Sequence, residues 1–529
     1  MSPLSPILTD FYNYPSNHYW LVTQEPMLCC TILMISSRYH VLPGFGGTSR
    51  AYSIHNRLWQ HCQHLILRII LGQEKLSKAK TRHVGSIEAL LLMAEWYPRA
   101  LNFPPDNDGW DSDLILTLPD FRDPPTSADE VPMSDRWRED VVEPTRRSDR
   151  MSWMLVSTAL ALAHELGLFK AEQGVRKGPE QFEGAGMRSD AQIYLQHLEW
   201  RRRRLPPLLY VFGNLLSSRL GCTSLIPEMP AVKVLDSSSG DQEWIDFMVS
   251  WVDLTRLAKD ITETHFPSTV RIDNQERITR PSRDWGELLS RWRHDRPTLA
   301  NPHLDYILDI EYHYLQAFSN SIKVQSLVEN ILTSPDQSSP TDRTCINEVI
   351  SASCTVLQSI INPPNIQYLP IRVFLRVIGS SIFLLKALAL GVRTVQLYTS
   401  LNLFDQTIAT LQSSTLDDMQ LVSRYASLLQ IHVSRLRETF KASAQEREKD
   451  AQEDEQIEGH PGMLPVQSDE FHVWDDPLLG QINGGTDDWF SLPFDPLMAP
   501  FGTWDDNGQL DYGLDSAYLD LDFIWNLPP

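Results

Sequence analysis

The last eighty residues of the chain contain no lysine and no arginine. From Asp450 to Pro529 there are eighteen Asp and Glu, so this stretch carries −18 of the chain's formal −22. A segment with one sign of charge repels itself and stays hydrated, which opposes collapse into a core. Pro461, Pro465, Pro477, Pro493, Pro496, Pro500 and the pair Gly484-Gly485 interrupt it and prevent long helices. Bulky rings are spaced among the acids, and two clusters stand out, 487–495 and 519–525. Acids keep such a segment accessible while aromatic groups stay available to a partner, the profile of an acidic-hydrophobic activation segment. Each cluster has the pattern of one or two amphipathic turns that fold in a groove. Trp489, Phe490, Phe494, Phe523, Ile524 and Trp525 are the candidate coactivator contacts. The competing reading is a solubilising tail, or one that folds back onto the body.

The remaining 449 residues hold 50 acidic and 46 basic side chains and are rich in Leu, Ile, Val and Trp. That length buries a sizeable core. An acidic chain argues against nonspecific nucleic-acid binding through a broad basic face. The six cysteines are scattered, with Cys29-Cys30 adjacent and no CxxC pair, which fits a reducing compartment. The N-terminus has no basic region leading into an apolar run. The best membrane candidate, 377–385, is uncharged but far shorter than the roughly twenty residues a membrane span needs.

Apolar spacing predicts helices over 25–37, 50–71, 84–96, 150–166, 190–219, 242–265, 303–332, 343–361, 368–396 and 415–446. Nothing alternates with period two, so the fold class is all-α, a multi-helix body with a disordered acidic C-terminal tail. Pro43 to Thr48 breaks the chain between two helices. Residues 104–147, polar and rich in Pro and Asp, read as a long loop. Ser148-Asp149 reads as the cap of the helix over 150–166 and Gly167 as its stop. The expected organisation is a helical domain over 1–440, a charged linker over 441–466 and the acidic-aromatic tail over 467–529.

Candidate chemistry in the body is thin. His61 and His64, with His55, suggest a metal half-site, but no carboxylate or thiolate sits at a usual spacing, and packing histidines are the simpler reading. The Gly-rich turn at 43–47 lacks both phosphate-loop patterns. His164-Glu165 and Glu311 with His313 suggest a general base, yet neither belongs to HExxH and no GxSxG serine is present. No enzyme is expected. Arg201-Arg202-Arg203-Arg204 is the densest positive cluster. It reads as an import signal or phosphate contact, or as a helix turn whose arginines pair with acids and cover apolar surface with their stems; its place inside an apolar pattern favours the last.

The segment Leu198-Glu199-Trp200-Arg201-Arg202-Arg203-Arg204-Leu205, followed by Leu209-Tyr210-Val211 and Leu220-Gly221-Cys222, resembles the signature of the fungal-specific transcription factor domain, the middle homology region of the zinc-cluster (Zn2Cys6) regulators. Trp200, Arg201, Arg202, Arg203, Arg204 and Gly221 carry the match. Glu25-Pro26-Met27-Leu28, Gly85-Ser86-Ile87-Glu88-Ala89-Leu90, Glu95-Trp96 and Ala161-Leu162-Ala163-His164-Glu165-Leu166-Gly167 resemble a narrower group that includes regulators of nitrogen-source and amino-acid catabolism. The resemblance covers about 20–440. It implies a nuclear transcriptional regulator, activator or coactivator, whose partners are coactivators and DNA-bound regulators, with homo- or heterodimers as a further possibility. Such regulators usually carry six cysteines holding two zinc ions against DNA. This chain has no such cluster, so no cofactor is expected, and action through a DNA-bound partner or an upstream segment follows. Pro206-Pro207 are expected to interrupt the arginine-run helix, and Cys222-Thr223 depart from the usual pattern after Gly221. The competing class is a helical small-molecule-binding or catalytic protein with an incidental acidic tail.

Overall fold

The structure is a computed structural model. It describes residues 5–40, 42–74, 81–102, 143–169, 189–220, 224–226, 242–265, 284–333, 340–361, 366–389, 394–413 and most of 422–441. The acidic-aromatic tail, the linker beyond 441 and Gly221 with Cys222-Thr223 lie outside the described residues, as does most of the long loop. Among the described residues the regular structure is helical, with no strand.

In chain order the α-helices are α1 (His18–Gln24), α2 (Pro26–Tyr39), α3 (Gly47–Ile70), α4 (Val84–Glu95), α5 (Glu143–Glu165) and α6 (Ser189–Leu220). Then come α7 (Gln242–His265), α8 (Trp285–Asp295), α9 (Pro302–Thr333), α10 (Pro340–Ser359), α11 (Ile371–Ala389) and α12 (Thr394–Ser413), followed by helical residues 422–434. α2 packs on α3, α4 on α5, α6 on α7, and α9 along α10 and α11.

α4 is the key to the arrangement. All twelve of its residues are buried. A helix apolar on nearly every side has no face to give to water and sits inside the protein. α4 nevertheless carries Glu88 and Glu95, seven residues apart and so on nearly the same face. Each buried carboxylate requires a cation brought by another helix.

Several local expectations change. α5 begins at Glu143, so the long loop ends earlier and Ser148-Asp149 lie inside the helix. Asp149 does not cap; it pairs with Arg219 of α6, and Ser148 Oγ donates to the Thr145 carbonyl at 2.7 Å. The stop at Gly167 is present: at φ +69° it takes the left-handed conformation that glycine adopts without strain. Its N–H donates to His164 O at 3.0 Å and that of Leu168 to Ala163 O at 3.0 Å, closing the helix end.

Pro206-Pro207 do not interrupt α6, which runs unbroken from Ser189 to Leu220. The carbonyls they leave without N–H partners belong to Arg202 and Arg203, whose side chains lie toward solvent. Water can serve that side, while buried Leu205, Leu208 and Leu209 hold the other. The helix expected over 368–396 is α11, and α12, over a stretch that lies mostly between two expected helices, was missed. α8 was missed in the periodicity because it is short and polar; Asp284 caps it by accepting from Gly286 N at 3.0 Å and Glu287 N at 3.3 Å, and Trp285, Leu289 and Trp292 are its buried face.

Candidate functional site

The arginine run on α6 divides between the interior and the surface. Arg201 is 1% exposed and Arg204 4%, whereas Arg202 and Arg203 point outward. Arg201 is held between two carboxylates. Its Nε donates to Glu88 Oε1 at 2.9 Å, and Nη2 also bonds Glu88 Oε2. On the other side Nη1 donates to Glu25 Oε1 at 2.5 Å and Nη2 to Glu25 Oε2 at 2.7 Å. The planar guanidinium fork matches both carboxylates, which a point-charge ammonium could not do. Tyr12 Oη donates to Glu25 Oε1 at 2.5 Å and Tyr194 Oη to the same oxygen at 3.1 Å.

The electrostatics follow from burial. Desolvation would raise the Glu25 carboxyl, but the Arg201 charge and the Arg201 and Tyr12 hydrogen bonds hold it below the usual range. At Glu88 desolvation wins, and Glu25's charge adds to it, so that carboxyl is pushed up against Arg201. Burial and the guanidinium charges of Arg201 and Arg204 push His197 down to about 3, which keeps it neutral beside the cluster. The His197 ring stacks on Phe11 at 4.0 Å.

Gly85 is required by this packing. A Cβ there would lie 2.0 Å from Glu25 Oε2 and 3.2 Å from Arg201 Nη2, so a side chain would push the carboxylate off its guanidinium. Glu25, Gly85, Glu88 and Arg201 thus meet in one cluster although they come from three separate segments of the sequence.

Arg204 takes the neighbouring position. Its guanidinium lies 4.3 Å from the Trp200 ring centre and 4.2 Å from that of Trp244, and Nη2 donates to Pro6 O at 2.8 Å. Trp244 Nε1 donates to the same carbonyl at 3.1 Å. Arg204 and Trp244 therefore pin the N-terminal segment to α6 and α7, with the Arg204 guanidinium also lying over the Trp200 ring. On the outer side Arg202 Nη2 donates to Leu166 O at 3.0 Å and Arg203 lies 3.7 Å from Glu199.

The second carboxylate of α4 has a different environment. Glu95 Oε2 lies 3.0 Å from Arg372 Nη1 of α11, but neither that oxygen nor any Arg372 nitrogen makes a hydrogen bond. Arg372 lies over the Trp251 ring at 4.8 Å. One turn further along α11, Arg376 Nε donates to Glu311 Oε2 at 2.9 Å. Burial raises Glu95 from 4.5 to about 7; Arg372 opposes and the Glu311 charge adds to the rise.

The remaining sequence candidates occupy structural positions. His55 is buried on the inner face of α3, its Nδ1 2.9 Å from Met34 O and its Nε2 accepting from Arg99 N at 3.1 Å. Both nitrogens are used, while His61 and His64 lie exposed on the outside, so the three do not converge. Glu165 pairs with Arg82, and Glu311 with Arg376. Among the described residues no three His, Cys, Asp or Glu side chains are grouped to hold a metal ion, and the described cysteines are free thiols. No described helix is long and apolar enough to cross a membrane. Trp489, Phe490, Phe494, Phe523, Ile524, Trp525 and Gly221 lie outside the described residues. The pairing of Glu95 with Arg372 was missed in the sequence; an acid at the end of an otherwise apolar helix was its only signal.

No family model and no solved structure matches the chain. The transcription factor hmgR of Aspergillus fumigatus is 40% identical over an alignment of 576 residues that covers all of this chain and 74% of the relative. The chain belongs to the family of fungal transcription factors that includes hmgR.

Proposed function

We propose that this regulator activates genes of nutrient use, nitrogen or amino-acid utilisation in particular, from the nucleus and through partner proteins. The observation that carries a regulatory reading is the 40% identity to a transcription factor along the whole chain. The division of labour comes from the sequence: a helical body over 1–440, a charged linker over 441–466 and a tail over 467–529. Trp489, Phe490, Phe494, Phe523, Ile524 and Trp525 are the tail's contacts with coactivator. The rings supply affinity by leaving water, and the acids supply accessibility and steering. The body contacts DNA-bound regulators, in homo- or heterodimers. The arginine run supports contact through partners rather than through DNA, because Arg201 and Arg204 are spent on internal bonds.

The test is a reporter driven by residues 467–529 tethered to a heterologous DNA-binding module. Activation is expected, and replacing the six apolar residues by alanine with every acid kept is expected to abolish it. Unchanged output from the six-alanine tail would remove the activation reading. Lowered target transcription on overexpression of the whole chain would favour an inhibitor that titrates related regulators.

A further inference from the structure

The charges of the body are not spread evenly. From Pro26 to Ile87 the chain holds eight Lys and Arg against one acid, Glu74, a balance of +7, while residues 1–449 as a whole stand at −4. α3 lies in the middle of this stretch and holds no acid at all. Its inner side is fixed by the buried Ala51, His55, Cys62, Leu65 and Ile69. An outer side carries Arg50, Arg57, His61, His64 and Arg68, all exposed and spaced by seven, four, three and four residues, which sets them in one row along the helix. At 1.5 Å per residue the row is about 27 Å long. Ile54 borders it on one side and Leu67 and Leu71 on the other, and these three are exposed as well. Arg50 Nη2 donates to Pro43 O at 2.5 Å, whereas Arg57 and Arg68 have no ion pair among the described residues. Glu74, the one acid nearby, lies 2.7 Å from Arg82. Exposed apolar side chains bordered by charge of one sign mark an interaction surface, and this one calls for a partner that brings acids and apolar groups together.

We propose that this face of α3 is a docking surface for residues 487–495 of the same chain. Asp487, Asp488 and Asp495 supply the anions for the arginine row, and Trp489, Phe490 and Phe494 supply the rings that cover Ile54, Leu67 and Leu71. Duplex DNA would use the arginines and leave those three apolar side chains in water. Forty-five residues lie between Lys441 and Asp487, and a chain of that length reaches up to about 150 Å. The other ring cluster, 519–525, hangs on a longer tether, and a longer tether lowers the effective concentration. The inference deepens the proposed function: it rests on the tail's rings being contact groups, and it gives the same rings a seat on the body, where they are withheld from coactivator.

The test is photocrosslinking of the full chain with p-benzoylphenylalanine in place of Phe494. The crosslink is expected to fall within residues 50–71, in a product of single-chain mass. Arg57→Glu with Arg68→Glu is expected to lower its yield about tenfold or more, with the helical circular dichroism kept because both residues are exposed. Adding Asp487→Lys, Asp488→Lys and Asp495→Lys to that pair is expected to restore the crosslink, which damage to α3 would not permit. No crosslink to the body, a crosslink to another helix, a product of twice the chain mass, a yield unmoved by the arginine pair, or no restoration by the charge swap would each overturn the proposal. The tethered reporter contains no α3, so the two readings fail separately. A tail that activates but does not crosslink removes only the docking, and a tail that crosslinks to α3 but does not activate removes only the activation reading.

Discussion

The two carboxylates of α4 sit seven residues apart on one buried helix and have opposite fates. Glu88 shares Arg201 with Glu25 in a cluster where both oxygens of each carboxylate accept guanidinium hydrogens. Glu95 faces Arg372 at 3.0 Å with no hydrogen bond between them and borders a cavity. The saturated cluster locks α4, α6 and the N-terminal segment into one arrangement. The Glu95–Arg372 pair is held by charge alone, and a buried pair without hydrogen bonds recovers less of its desolvation cost.

The comparison breaks first at Arg201. Arg201→Ala leaves two carboxylates buried against each other, and removal of one partner from a buried ionic cluster costs about 3–5 kcal/mol. A urea midpoint is expected to fall accordingly, and a midpoint close to that of the parent would show that the cluster does not hold the helices together. Arg201→Lys is expected to recover only part of the loss, because the two forks need a planar donor.

The second effect is on pH. Glu95 binds its proton more tightly in the folded chain, with a value near 7 against 4.5 ordinarily. Its contribution to stability is therefore fully present below pH 4.5 and is lost as pH climbs through 7. That difference amounts to about 3 kcal/mol at most. Glu95→Gln is expected to flatten the stability profile across this window, whatever it does to absolute stability. A parent profile as flat as the variant's would place Glu95 in contact with water.

The smallest effect sharpens the contrast within the arginine run. Arg203 is exposed, and its contact with Glu199 is a surface pair one helical turn apart. Arg203→Ala is expected to change stability by less than about 0.5 kcal/mol. A loss as large as that of Arg201→Ala would mean that the run acts as a unit rather than as two faces.

Much of this was legible in the chain. The periods of α2, α3, α4, α6, α7, α9 and α10 stand in the sequence, because buried helices need apolar residues at fixed spacing. The internal role of the arginine run was legible too, from its position between apolar neighbours. The course of α6 through Pro206-Pro207 was not, since proline's local preference for a break yielded to the burial of Leu205, Leu208 and Leu209. The inward turn of Asp149 was hidden for a related reason: Ser-Asp before an apolar run looks like a cap until a buried arginine is known to be waiting for it.

By itself the sequence determined the helical class of the body, the charge and aromatic content of the last eighty residues, and which side of most helices turns inward. These follow from spacing and composition, which are local. The tertiary structure alone decided which buried charge meets which. Arg201 reaches Glu88 across 113 residues of chain and Glu25 across 176. Helical periodicity says that a face is buried, but a partner at that distance is chosen only when the helices pack. The same packing gave Glu88 a hydrogen-bonded guanidinium and Glu95 an ion pair without a hydrogen bond.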